Sequence, residues 1–405
     1  MTVSGGSFSA ADSAIGYLYQ ARMALLWALQ RLPQGADFNV SLETLDDVVF
    51  HTSDGLPQEL LQTKHHRNRA ATLTDASPDL WKSVRIWFEG NASGKIPRGT
   101  NLYLLTTAEA PEASVPYKLR ASTRDVEGAL TALERTAQTS TNEANAVSYK
   151  RFLDTSLAKR RAIINDVFVI DAAESIEDLD GELKRVLFSA VDRKRMVPFL
   201  SRLEGWWLHR ILIQLTSPGS RIAADEIEVQ MSDLREQFHR DSLPIDDDLL
   251  NFSLDEVTQA SHADYVFVRQ IELTKASKER IVAAVRDFYR AFEQRSRWLR
   301  EDLWPIGDID RYERRLIEEW GLVFAAMKDK CGDLAAEEAK EGLSRDLLEW
   351  AEQTAPARIY VRPRVTEPFV TRGSLHMLAD AMDVGWHPEF RDRLAILLQT
   401  KGRVA

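Results

Sequence analysis

The 405-residue chain has one cysteine, Cys331, so it can form neither an internal disulfide nor an all-cysteine metal site. Long apolar runs are missing too. The best candidate, Ile15 to Leu32, is interrupted by Gln20, Arg22, Gln30 and Arg31, which argues against a membrane span. The opening residues, MTVSGGSFSAADS, lack the basic stretch and apolar core of a secretory signal, and a reducing cytoplasm is the expected compartment. Internal repeats, low-complexity runs and sustained heptads are absent as well.

What is present is an ordinary globular composition, 44% hydrophobic and 28% charged, at a length that suits two or three domains. The net charge of −10 is unevenly spread. Residues 1–165 carry 18 Lys and Arg against 17 Asp and Glu, so the acidity lies in the remainder. Within that near-neutral segment, basic clusters at Lys64, Arg67 and Arg69, at Lys118, Arg120 and Arg124, and at Lys159, Arg160 and Arg161 offer a surface that could face DNA.

The pattern predicts a first helix from about Asp12 or Ser13, with Ile15, Leu18, Tyr19, Leu25, Leu26, Leu29 and Leu32 on one stripe and Pro33 and Gly35 as the stop. Two extended segments follow, Phe38 to Phe50 and Glu59 to His65, joined as a hairpin through Asp54-Gly55 and Pro57. Ser77-Pro78-Asp79 starts a helix that runs to about Gly90, and residues 101–107 form a buried strand, which completes a small α/β core. The chain then turns mainly helical, with a short strand at 167–170, a helix through Phe199–Leu215 and another around Asp225–Phe238. The Pro- and Asp-rich stretch at 242–256 sets a boundary near residue 250, giving domains 1–250 and 251–405, the second helical, with Ser344 capping one of its helices.

The chemistry concentrates between positions 43 and 64, in LETLDDVVFHTSDGLPQELLQTK. On a strand, residues two apart share a face, so Gln62 and Lys64 project together while Thr63 points away, and Asp47 can meet them from the neighbouring strand. One aspartate, an amide oxygen and a backbone carbonyl suit Mg2+, with Mn2+ as a substitute, because Mg2+ takes hard oxygen ligands and keeps several waters. A lysine ammonium beside them can position water and offset charge on a phosphate under attack. From the pattern alone, a solvated hairpin with Asp46 and Asp47 on its exposed edge is the commoner explanation of such residues. Tyr19-Gln20 on the preceding helix adds a polar contact at a suitable place.

The runs GYLYQARMALLWAL, VSLETLDDVVF and ELLQTKHH together resemble the N-terminal double-stranded-DNA endonuclease domain shared by CD-NTase-associated effectors and Lamassu-type anti-phage systems. The resemblance implies an α/β restriction-endonuclease-like fold of the PD-(D/E)XK type. It places the core aspartate on Asp47, the metal-side amide on Gln62 and the catalytic lysine on Lys64, with Gln20 and Glu43 as accessory positions. Glutamine in place of a second carboxylate departs from the wider pattern and leaves the number of metal ions open. A second resemblance, carried by FLSRLEGWWLHRILIQL, DLREQFHRDSLPID, AAVRDFYRAFEQRSRWLREDL and RGSLHMLADAMDVGWHPEF, is to the C-terminal region of ABC-three-component defence proteins. Together they imply a Mg2+-dependent endonuclease that cuts double-stranded DNA, held by an SMC-like ATPase and a third, small subunit, and active as a homo-oligomer. The alternative is a non-catalytic adaptor that keeps a nuclease-like fold only to dock DNA or a partner.

Other signals carry plainer readings. His65 and His66 are adjacent on a strand and face opposite ways, so they do not chelate one ion; a structural or DNA-backbone role is expected. Gly90–Ile96 lacks the spacing and the hydroxyl of a phosphate loop and reads as a helix-ending loop. Trp206, Trp207 and Trp298 fall at helical spacing and read as core or interface, and the arginines at 286, 290, 295, 297 and 300 as a solvated face or an acidic-partner contact.

Overall fold

Helix α1 (Ala10–Arg31) buries one long stripe, including Tyr19, Met23, Leu25, Leu26 and Leu29. It ends in a single 3-10 turn, Leu32–Gln34, where Pro33 cannot continue the helix and Gly35 takes the left-handed conformation at φ 68°. The computed structural model describes residues 10–35, 37–66, 71–217, 219–254, 264–332 and 336–401.

Three antiparallel strands follow: β1 (Phe38–Leu42), β2 (Val48–Thr52) and β3 (Pro57–Lys64). The sequence predicts one extended segment from Phe38 to Phe50, but the chain breaks after Leu42. Glu43 enters the left-handed region at φ 53°, and its N–H donates to the Asp47 carbonyl at 3.1 Å, closing a tight turn over residues 43–47. The expected hairpin is therefore a three-stranded meander. Leu42 pairs with Val48, and Val48 with Leu61, so the acidic turn stands beside the end of β3.

Helix α2 (Pro78–Ala92) begins at the expected Pro, although the Ser77 hydroxyl accepts from Thr74 N at 2.8 Å instead of capping the helix. It ends before Gly94, whose φ of 74° marks the loop expected there. Strand β4 (Asn101–Thr106) then runs parallel to β3, pairing Gln62 with Leu104 and Lys64 with Thr106. Helices α3 (Val115–Lys118), α4 (Val126–Thr139), α5 (Ala146–Leu153) and α6 (Leu157–Asn165) lead to β5 (Val167–Ile170), parallel to β4. After α7 (Leu179–Val186) and α8 (Met196–Thr216), the two-residue β6 (Ile222–Ala223) pairs with β1. The sheet order is β5-β4-β3-β2-β1-β6. On one face Val49, Leu60, Leu102, Leu104, Val167 and Val169 join Trp81, Trp87, Phe88, Leu133 and Phe152 in one core. α1 lies on the other face: Trp27 packs edge-on against Tyr103 with ring centroids 5.3 Å apart. There Trp207 of α8 donates to the Ala21 carbonyl at 2.8 Å, the buried role expected of it.

The chain divides into two compact units, residues 1–233 and 234–405, so the division falls within α9 (Ala224–Gln237) rather than near residue 250. The reason lies in the Pro- and Asp-rich stretch expected to mark the boundary. Around α10 (Asp247–Leu250) it docks onto a helix of the second unit, α12 (Lys278–Arg300), which follows α11 (Val266–Leu273). Trp298 donates to the Pro244 carbonyl at 2.6 Å, Gln294 accepts from Asp246 N at 2.9 Å, and Arg297 pairs with Asp248 at 2.7 Å. The second unit continues with α13 (Ile306–Cys331), α14 (Glu337–Glu349), α15 (Pro368–Asp380) and α16 (Phe390–Lys401). Ser344 is no cap: it lies inside α14, fully buried, and its hydroxyl donates to the Lys340 carbonyl at 2.6 Å. α12 and α15 meet at Gly373, where a Cβ would stand 2.1 Å from the Asp287 carbonyl oxygen, so only glycine allows the approach. The arginine stretch of α12 is held from within the unit, Arg295 by Glu313 and Ser374, Arg297 by Asp246 and Asp248, and Arg286 and Arg290 by Asp287. Among the described residues, no helix is long and apolar enough to cross a membrane.

Candidate active site

The turn at 43–47 and the end of β3 build one polar cluster. Just before the Val48–Leu61 pair, Asp47 reaches the end of β3 from the turn. Its Oδ2 accepts from Thr63 N at 2.7 Å and from the Thr63 hydroxyl at 3.2 Å, and its Oδ1 accepts from Gln62 Nε2 at 3.0 Å. Lys64 Nζ donates to Gln62 Oε1 at 3.1 Å and lies 3.8 Å from Asp47 Oδ2. Asp47, Gln62 and Lys64 thus converge. Thr63, expected to point away, also reaches Asp47, because the aspartate sits in a turn that curls over β3 and not on a regular strand.

Asp46 sits behind them, 7% exposed, and meets Gln62 as Asp47 does. Its Oδ2 accepts from the Trp87 indole N–H at 2.8 Å; its Oδ1 accepts from Gln62 Nε2 and, at 3.1 Å, from Asp47 N. Burial pushes its carboxyl up to about 7, helped by the charge of Asp47 and opposed by the hydrogen bonds from Trp87 and Gln62. Glu43, exposed in the same turn, has its carboxyl raised by partial burial and by Asp47, while Lys64 and Lys82 pull it back. Gln20 makes no hydrogen bond to these residues, and its buried Oε1 has no partner among the described residues. His66 is held by Asp79 of α2 at 2.9 Å, a bond that raises its pKa against the effect of burial.

Alternation put Gln62 and Lys64 on one face and the resemblance joined Asp47 to them, but nothing local in sequence announced Trp87 or Thr63 as their neighbours. The signal for Trp87 was the helical stripe of α2, Leu80, Trp81, Val84, Trp87 and Phe88, which aims it at the sheet.

The donor set can be tested against a divalent ion. Among the described residues no three His, Cys, Asp or Glu side chains are grouped to hold a metal, so a thiolate or imidazole site of the zinc kind does not fit. Two hard oxygens, Gln62 Oε1 and Asp47 Oδ2, lie 3.1 Å and 3.8 Å from the Lys64 ammonium. That pair suits an ion such as Mg2+, which needs few protein ligands beside substrate and water.

The other basic clusters are largely occupied. Lys118 pairs with Asp125, Arg120 with Asp171, Arg160 with Glu134 and Arg161 with Glu127, while Arg124 donates to the Asn165 and Val167 carbonyls. They brace the α4–β5 region more than they form a free cationic surface. Arg67 and Arg69 lie outside the described residues.

The helical second unit carries a domain of the class found at the C-termini of ABC-three component (ABC-3C) systems. Specifically, residues 267–394 match the family model described as C-terminal domain 7 of those systems. This supports membership of the chain in such a system and covers the last two of the four runs that carried the resemblance, AAVRDFYRAFEQRSRWLREDL and RGSLHMLADAMDVGWHPEF. No curated protein matches the chain.

Proposed function

We propose that this chain is the nuclease effector of its ABC-3C system, a Mg2+-dependent endonuclease acting on double-stranded DNA. The observation that carries this reading is the convergence of the Lys64 ammonium on Gln62 Oε1 and Asp47 Oδ2 at the end of β3. The order α1-β1-β2-β3-α2-β4, with three antiparallel strands and a parallel fourth, supports a restriction-endonuclease-like core of the PD-(D/E)XK kind. Asp47 and Gln62 would hold the metal, whose contribution when bound is to polarise a phosphoryl oxygen as a Lewis acid. Lys64, at 15% side-chain exposure, keeps its charge within reach of solvent and substrate, where it orients water and offsets the charge that builds on the phosphate. Thr63 fixes the Asp47 carboxylate through its N–H and hydroxyl, so the aspartate does not depend on substrate for its orientation.

Cutting both strands of a duplex needs two sites of opposed polarity, which a homo-oligomer supplies. In this reading an SMC-like ATPase and a small third subunit hold the nuclease at rest, and release allows self-association in defence against phage or plasmid. The test is duplex cleavage across a range of protein concentrations in Mg2+ or EDTA, with the ATPase subunit present or absent. A steep rise with concentration, suppressed by the resting complex and by EDTA, is expected. Cleavage linear in protein and indifferent to the partner would overturn the assembly-gated part of the reading.

A further inference from the structure

Gln62 can serve a cation through only one of its two amide atoms, so its rotamer decides whether the site works. Nε2 lies between two carboxylates, in contact with Asp46 Oδ1 and 3.0 Å from Asp47 Oδ1, while Oε1 faces the Lys64 ammonium at 3.1 Å. With Asp46 ionised, both carboxylates only accept and the ammonium only donates, so these partners dictate which way the amide points. Asp47 cannot be the lasting anchor. It is itself an expected metal ligand, and its Oδ2 is already shared with Thr63. Asp46 can be, because its two oxygens are fixed from behind: Oδ2 by the indole N–H of Trp87 at 2.8 Å and Oδ1 by Asp47 N at 3.1 Å. Trp87 is fully buried in the α2 core, so the donor that holds Asp46 belongs to the rigid part of the fold.

We propose that Asp46 is a positioning residue: anchored by the Trp87 indole, it holds the Gln62 amide nitrogen and so turns the amide oxygen toward the side of the site where a cation binds. The proposal rests on the reading of Asp47, Gln62 and Lys64 as a nuclease site. It extends that site through the sheet to α2, whose packing then sets the geometry of a residue it does not itself carry. An asparagine at position 46 would keep the shape and fail in the task. Both Asp46 oxygens accept N–H groups, so whichever way an asparagine amide sat, its NH2 would face another donor.

The test uses the full chain labelled with 15N in glutamine side chains, the Gln62 signal being assigned by its loss in Gln62→Leu. In the wild type the Gln62 amide protons should exchange slowly with water. Asp46→Asn should speed that exchange about tenfold or more and weaken Mn2+ binding, measured by calorimetry, by about 10- to 100-fold, the usual effect of losing a group that orients a ligand. Trp87→Phe keeps a ring in the core and removes the N–H; it should move both readouts the same way by a smaller factor, and it serves as the variant of record should Asp46→Asn not fold. A merely structural role would lower the melting temperature and leave the amide signal in place. A folded variant with unchanged Gln62 exchange and unchanged Mn2+ affinity would overturn the proposal. Should Gln62 exchange respond to Asp46 while the wild type neither binds Mn2+ nor cuts DNA, the orientation of Gln62 stands and the nuclease reading falls.

Discussion

Asp46 makes the first unit pH-sensitive in a direction opposite to that of most carboxylates. In the folded chain its carboxyl is lifted from 3.8 to about 7. Between those values the folded chain holds a proton that the unfolded chain has released, so this group favours folding fully below about pH 4 and loses that contribution as pH rises through 7. From pH 5 to pH 8 the folded chain gives up this proton over roughly two pH units, a loss of about 2–3 kcal/mol at 1.36 kcal/mol per unit. Asp46→Asn cannot titrate. Urea unfolding at pH 5 and pH 8 in EDTA, followed by tryptophan fluorescence for both proteins, reads the effect, because groups distant from position 46 cancel in the difference. The wild type should lose about 2–3 kcal/mol more than the variant over this interval. Equal pH dependence within about 0.5 kcal/mol would refute the burial argument.

Other predictions follow from single contacts. In the second unit the sign reverses: His376 is fully buried and held neutral, its pKa driven down to about 3 by burial and by Arg372, so its contribution is complete above pH 6.5 and lost as pH falls below that. His376→Phe should therefore melt with less sensitivity to acid between pH 7 and pH 5 than the wild type. Gly373→Ala drives a methyl group into the Asp287 carbonyl and should cost several kcal/mol, roughly 3 or more, seen as a lowered melting temperature of the second unit. Arg120→Ala removes the charged partner of Asp171, 6% exposed, leaving its Oδ2 the Ala110 N–H at 2.7 Å, and should destabilise the first unit by about 2 kcal/mol in urea.

The sequence was readable where local chemistry decides the outcome. Pro33 and Gly35 end α1, Pro78 starts α2, and the apolar runs at 101–106 and 167–170 are strands of a buried sheet. At the candidate site a period of two puts Gln62 and Lys64 on one face, whereas the assignment of Asp47 to them rested on the family resemblance, since the pattern alone favoured a solvated hairpin with both aspartates exposed. What escaped depends on contacts distant in sequence or on unusual backbone. A left-handed Glu43 splits one predicted strand into two, a conformation no propensity suggests for glutamate. The segment at 242–250 has the composition of a linker, yet Trp298, Gln294 and Arg297 bind it to the second unit. Four residues of the basic clusters that suggested a DNA surface, Lys118, Arg120, Arg160 and Arg161, find acidic partners, and Asp46, which reads as an exposed edge residue, is buried by an indole from 41 positions further along.

The most direct test of the central claim is linear-duplex cleavage by the purified chain at high protein concentration in Mg2+, beside Asp47→Ala and Lys64→Ala, each first shown to be folded. The account predicts fragmentation by the wild type, none in EDTA, and a loss of at least about 100-fold in each variant, as expected when charge stabilisation of the transition state is removed. Fragmentation by either variant at the wild-type rate would contradict it.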